Sequence, residues 1–123
     1  MKYLILLYGS ESNGPEPGTP EFGKMMAGYK AFGERLDADG IQWAGEALQE
    51  VSSATSITRR GGKVETMDGP FAETKEKLGG YYQIDVPDLD SALRYAEMIP
   101  AVDFGTIEIR PIMDVGPLLE MIG

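Results

Sequence analysis

Neither cysteine nor histidine occurs anywhere in the 123 residues. Without thiols there is no disulfide framework and no thiolate nucleophile. Without imidazole there is no Ser-His-Asp or Cys-His arrangement, and the commonest general base and zinc ligand are missing. Acid–base chemistry falls to Asp, Glu, Lys or Tyr. Basic residues are scarce too: 11 Lys and Arg against 20 Asp and Glu give a net charge of −9. The densest basic spots are Arg59-Arg60 and the pair Lys75 and Lys77, broken by Glu76. That falls short of the basic stripe of a nucleic-acid binder, so no direct nucleic-acid partner is expected. Long apolar runs are absent. Tyr3 to Tyr8 is too short for a membrane span or a signal peptide's apolar region, and no small-residue cleavage site follows. A cytoplasmic protein with no membrane partner is the expectation. No phosphate-binding glycine loop and no acidic cluster with calcium or magnesium spacing is found, so no cofactor and no metal is expected.

What is present reads as one soluble domain, since 42% hydrophobic and 25% charged residues are an ordinary balance for a chain of this length. Lys2 to Tyr8 is apolar at both parities, which predicts a central strand covered on both faces. A Gly/Pro/Ser loop from Gly9 to Thr19 follows. Thr19-Pro20 then opens a helix with Thr19 as N-cap and a stripe of Phe22, Met25, Met26, Tyr29, Phe32 and Leu36, ended by Gly40. Ile41 to Leu48 reads as a second strand, in which Gly45 suggests a bulge or close backbone approach. Gly61-Gly62 between two strand-like runs predicts a tight hairpin pairing Arg60 with Lys63, Arg59 with Val64 and Thr58 with Glu65. Tyr81 to Val86 is a further strand, with Tyr82, Ile84 and Val86 on one face and Tyr81, Gln83 and Asp85 on the other. Asp88 caps a second helix whose stripe is Leu89, Ala92, Leu93, Ala96 and Ile99, stopped by Pro100. Thr106 to Ile112 is the last strand, and Pro111 marks a strand end or an edge.

The order β-α-β, hairpin, β-α-β predicts an α+β fold. It is the ferredoxin-like split βαβ pattern, an antiparallel sheet with two helices on one face. Residues 1–112 form this domain and 113–123 an apolar tail. The other sheet face is then uncovered although the first strand is apolar on both sides. A homodimer packed sheet to sheet supplies that cover. The competing reading folds the tail back over the open face.

By parity the open face carries Tyr81, Gln83, Asp85, Glu108 and Arg110, with Gln42 or Glu46 from the neighbouring strand. Burying such groups is unfavourable unless they pair or stay wet. Arg110 paired with Glu108 or Asp85 fixes an interface on one reading and lines a ligand site on the other. The run Asp68-Gly69-Pro70-Phe71-Ala72-Glu73-Thr74-Lys75 is the densest in turn residues and charge. Asp68 either bonds to backbone within its own turn or serves as a partly desolvated acid or base. Lys75 solvates the loop or holds an anion, while Phe71 reads as a core anchor and Trp43 as a core residue.

That eight-residue run, with Gly79-Gly80-Tyr81-Tyr82 and Asp85-Val86-Pro87-Asp88-Leu89-Asp90, resembles the YCII-related family, and specifically its DGPF-domain branch. Gly45-Glu46-Ala47-Leu48 and Glu108-Ile109-Arg110-Pro111 are similar to further stretches of that branch. The resemblance implies a ferredoxin-like α+β fold that dimerises into an α/β barrel, with a pocket between sheet and loops. Founding members pair a histidine with an aspartate there. Asp68 matches the aspartate, and no histidine matches its partner. Proteins of the branch are often encoded beside extracytoplasmic-function sigma factors.

Two functions compete. One is a small enzyme with Asp68 as acid or base and a polar ligand held by Glu46, Glu73, Tyr81, Glu108 and Arg110. The other is a non-catalytic dimeric module that binds a small ligand or a protein, in sigma-factor-linked regulation on the family resemblance.

Overall fold

A computed structural model of the chain describes residues 1–122. Strand β1 (Lys2–Gly9) is followed by helix α1 (Pro20–Ala38) and strand β2 (Trp43–Ala47). A hairpin of β3 (Thr55–Arg60) and β4 (Lys63–Asp68) comes next, then β5 (Lys77–Asp85), α2 (Leu89–Ala96), β6 (Gly105–Pro111) and a short α3 (Gly116–Glu120). The main sheet runs β2-β5-β1-β6 with every neighbour antiparallel. This is the ferredoxin-like order, with the hairpin as a separate two-stranded sheet. Among the described residues no helix is long and apolar enough to cross a membrane.

The doubly apolar first strand is central, as its pattern predicts. Tyr3, Ile5 and Leu7 are buried, while Leu4 and Leu6 on the opposite parity are half-buried. Register aligns Tyr3 with Ile84, and Ile5 with both Tyr82 and Ile109, so one face of the sheet is continuous and apolar. Phe32 and Leu36 of α1, Ala92 and Ala96 of α2, and Ile99 close over that face. Both helices therefore lie on one side.

The helix ends follow their caps. Thr19 Oγ1 accepts the Phe22 N–H at 3.2 Å, and Asp88 Oδ1 accepts the N–H and the hydroxyl of Ser91, both at 2.8 Å. These bonds satisfy donors that a helix start leaves unpaired. The hairpin has the predicted register, with Arg60 opposite Lys63, and Gly61 and Gly62 at φ +56° and +77°. Two consecutive positive φ angles make the type I′ turn that matches strand twist, and glycine adopts them without steric cost.

Several expectations need correction. Phe71 is 87% exposed and anchors no core, because Phe32, Ile5 and Ile84 already fill the interior and the loop runs over the surface. Helix α2 ends at Ala96 rather than running up to Pro100. Proline disfavours helical backbone in the preceding residue, and Ile99 is extended at φ −78°, ψ 125°. Leu89 and Leu93 are about half-exposed, and the buried side of the helix is carried by Ser91, Ala92 and Ala96. The tail does not form an apolar cover: Met113, Leu118, Leu119, Met121 and Ile122 are all exposed. The stripe of α1 is buried only in its second half. Phe22, Met25 and Tyr29 are half-buried and Met26 is exposed, because the helix start overhangs a cleft.

Candidate functional site

The cleft under the start of α1 has a volume of about 670 Å³. Small residues make its floor. On the helix-facing side of β2 and β5, register sets Gly45 opposite Tyr82 and Ala47 opposite Gly80. The row beyond presents Trp43, Ile84 and Tyr3, whereas Ala47 and Gly80 present almost nothing, and the sheet there is left bare. Met25, Met26 and Tyr29 of α1 form the roof, Trp43 and Tyr82 one wall, and the loop after β1 with Phe104 the other.

Gly45 is required by a close approach. A Cβ there would lie 2.6 Å from Cδ1 of Tyr82, inside any real contact distance, so the Tyr82 ring lies directly over residue 45. That ring is held further by an edge-on contact with Phe32, centroids 4.9 Å apart, and a tilted contact with Trp43 at 5.9 Å. Trp43 is fixed in turn by its Nε1–H, which donates to Asp37 Oδ1 at 2.8 Å, and by packing on Gly33 of α1. It is 37% exposed, and so both core packing and cleft wall.

Several polar side chains around the cleft are occupied within the chain. The Asn13 amide donates to the Phe104 carbonyl at 2.9 Å, Glu11 accepts the Val51 N–H at 2.9 Å, and the Ser10 and Ser12 hydroxyls bond each other. The neutral ones without a partner among the described residues are the side chains of Tyr8, Gln49 and Tyr81 and two phenols on the α1 side of the sheet. Tyr29 and Tyr82 line the cleft, and neither hydroxyl bonds within the described residues. Burial pushes the pKa of both above the ordinary tyrosine value, and the proximity of Tyr29 raises Tyr82 further. At neutral pH both are O–H groups able to donate.

The candidates predicted from the sequence are dispersed. Asp68, the last residue of β4, is exposed and does not line the cleft; Glu73 is exposed in the loop that follows. Glu46 and Tyr81 border the cleft, but they pair on the side of the sheet opposite the helices. There Glu46, Tyr81, Leu6 and Glu108 make one row across all four strands, and Ala44, Gln83, Leu4 and Arg110 the next. The open face is therefore apolar along β1 and polar on its flanks. Arg110 forms no ion pair among the described residues. Asp85 is held instead by the terminal amine of Met1 at 3.0 Å. Among the described residues no cluster of three or more acids could hold a metal ion.

The sequence reading missed Tyr29, Met25 and Met26 as site residues because their spacing is that of a core stripe. A signal was available. A tyrosine hydroxyl in a core-facing position needs a partner, and the strand beneath carries Gly45 and Ala47, too small to fill the space.

The family model of the YCII-related domain matches residues 1–116. An uncharacterized protein of Rhizobium meliloti (strain 1021) is 32% identical over 114 residues, which cover 91% of this chain and 92% of the relative. The family match includes the β1 core, the small-residue floor of the cleft and the Asp68 loop, so the chain belongs to the YCII-related domain family.

Proposed function

We propose that this protein is a homodimeric small-ligand-binding module of the DGPF type, and that its ligand site is the cleft between α1 and the sheet. The carrying observation is the cleft itself: a bare glycine and alanine floor beneath aromatic and methionine walls, with two free hydroxyls. Small-molecule sites have this composition, mostly apolar with a few aimed polar groups. Binding is favoured over catalysis by Asp68, because Asp68 is exposed and outside the cleft of its own chain.

A thermal-shift screen of metabolites on wild type, Ala47→Phe and Asp68→Asn tests the reading, since a ligand of the folded state raises its stability. The expected hit is lost in Ala47→Phe, which fills the floor, and kept in Asp68→Asn. A hit lost in Asp68→Asn and kept in Ala47→Phe would return the function to the Asp68 loop.

The homodimer is supported by the open face, where Leu4 and Leu6 lie half-buried with no helix over them, and by the uncovered tail. Sedimentation velocity of wild type is expected to give a dimer and Leu6→Asp a monomer. A monomeric wild type at high protein concentration would remove the dimer.

A further inference from the structure

Resting on the reading of the cleft as a ligand site, the chemistry of its lining narrows the ligand class. The roof and one wall are Met25, Met26 and Trp43, polarisable groups that favour flat ring systems over branched aliphatic ones. Asn13, Glu11 and the Trp43 N–H are bonded within the chain, whereas Tyr29 and Tyr82, on the α1 side of the sheet, have hydroxyls without a partner among the described residues. A phenol inside an apolar cleft gains most from an acceptor, and an oxygen with two lone pairs can accept from two phenols lining one cleft. The charged groups at the cleft are mainly acidic, with Glu11, Glu46 and Glu50 against Lys77, in a chain of net charge −9. That field disfavours an anionic guest.

We infer that the cleft takes a flat, uncharged ring compound bearing a carbonyl-type acceptor oxygen, its rings against Trp43, Met25 and Met26 and its oxygen held by the hydroxyls of Tyr29 and Tyr82. Raised phenol pKa values keep both hydroxyls protonated and donating through neutral pH.

Three probes of matched shape test this: 2-acetylnaphthalene, 2-ethylnaphthalene without the oxygen, and the 2-naphthoate anion. Each is titrated by NMR into protein carrying ¹³C-methyl methionine, so that shifts of Met25 and Met26 report the place of binding. The acetyl compound is expected to bind tightest of the three and to move both methyl signals. Tyr29→Phe and Tyr82→Phe each weaken it about three- to tenfold, as the loss of one neutral hydrogen bond does. The ethyl compound binds more weakly and is indifferent to either substitution. Equal affinity for the acetyl and ethyl compounds, no effect of the Tyr→Phe variants, or tighter binding of naphthoate would overturn the ligand class. If Met25 and Met26 still shift in those cases and the shifts vanish in Ala47→Phe, the cleft survives as a site. If none of the three probes moves Met25 or Met26, the ligand class is wrong, and the cleft reading rests on the metabolite screen alone.

Discussion

The main sheet and the β3–β4 hairpin are both antiparallel, the hairpin in the register its Gly61-Gly62 turn specifies, yet they stand in opposite physical situations. In the sheet, Ile84 is 0% exposed beneath two helices. In the hairpin, Ile57 is 71% exposed, Val64 and Met67 are also exposed, and of the twelve strand residues Ser56 alone is partly buried. The hairpin makes no substantial packing contact with another helix or strand. Strand pairing satisfies backbone groups equally in both, but only the sheet has apolar cover. Isolated two-stranded hairpins are marginal in water for this reason. The arm carries exposed apolar side chains and a basic tip (Arg59, Arg60, Lys63) and contributes nothing to the core.

The same substitution made in both places gives the sharpest test. Ile84→Ala is expected to cost about 2–5 kcal/mol, the usual effect of a large-to-small change in a filled core. Ile57→Ala is expected to stay within about 0.5 kcal/mol, as exposed substitutions do. Urea denaturation measures both, and similar losses would mean that the hairpin is covered after all.

Next in size is Gly45→Ala. The added methyl meets the Tyr82 ring at 2.6 Å, so the ring must move; overpacking of this kind costs about 1–3 kcal/mol. Tyrosine near-UV circular dichroism is expected to change along with stability. An unchanged spectrum would show that the ring tolerates the intrusion and that the cleft wall is soft.

Thr19→Ala removes the bond that starts α1 and is expected to cost about 1 kcal/mol in thermal or urea unfolding. A loss near zero would mean that the overhanging first turn contributes little to the cover of the sheet.

The smallest expected effect is with pH. Asp88 lies below the ordinary carboxylate range because it accepts the Ser91 N–H and hydroxyl, and Asp39 because it accepts from Tyr95 at 2.7 Å and Arg35 at 2.8 Å. A lowered folded pKa gives stability that is present above about pH 4, the unfolded aspartate value, and is lost as pH falls through the folded one. The midpoint temperature should therefore drop below about pH 4, with a shallower drop in Asp88→Asn. An identical slope in that variant would remove Asp88 as a source.

Local chemistry explains which features were legible beforehand. Thr19, Asp88 and Gly61-Gly62 act over three or four residues, so the caps and the hairpin register followed from the sequence. The double parity of Tyr3 to Tyr8 placed β1 at the centre. The fate of Phe71 was not legible, since an aromatic in a turn anchors a core only where the interior has room. The role of Tyr29 was equally hidden: its spacing is that of a core residue, and it faces a cleft only because Gly45, Ala47 and Gly80 meet beneath it from two strands distant in sequence.

The order of the six strands and two long helices, the caps Thr19 and Asp88 and the sheet face of each strand's apolar residues followed from the residues alone, because these depend on periodicity and on contacts within a few positions; the early end of α2 and the short α3 did not. Only the tertiary structure decided where space is left over. Asp68 stands outside the cleft and Tyr29 lines it because free volume is what remains after packing, set by residues that the chain brings together across the whole sheet.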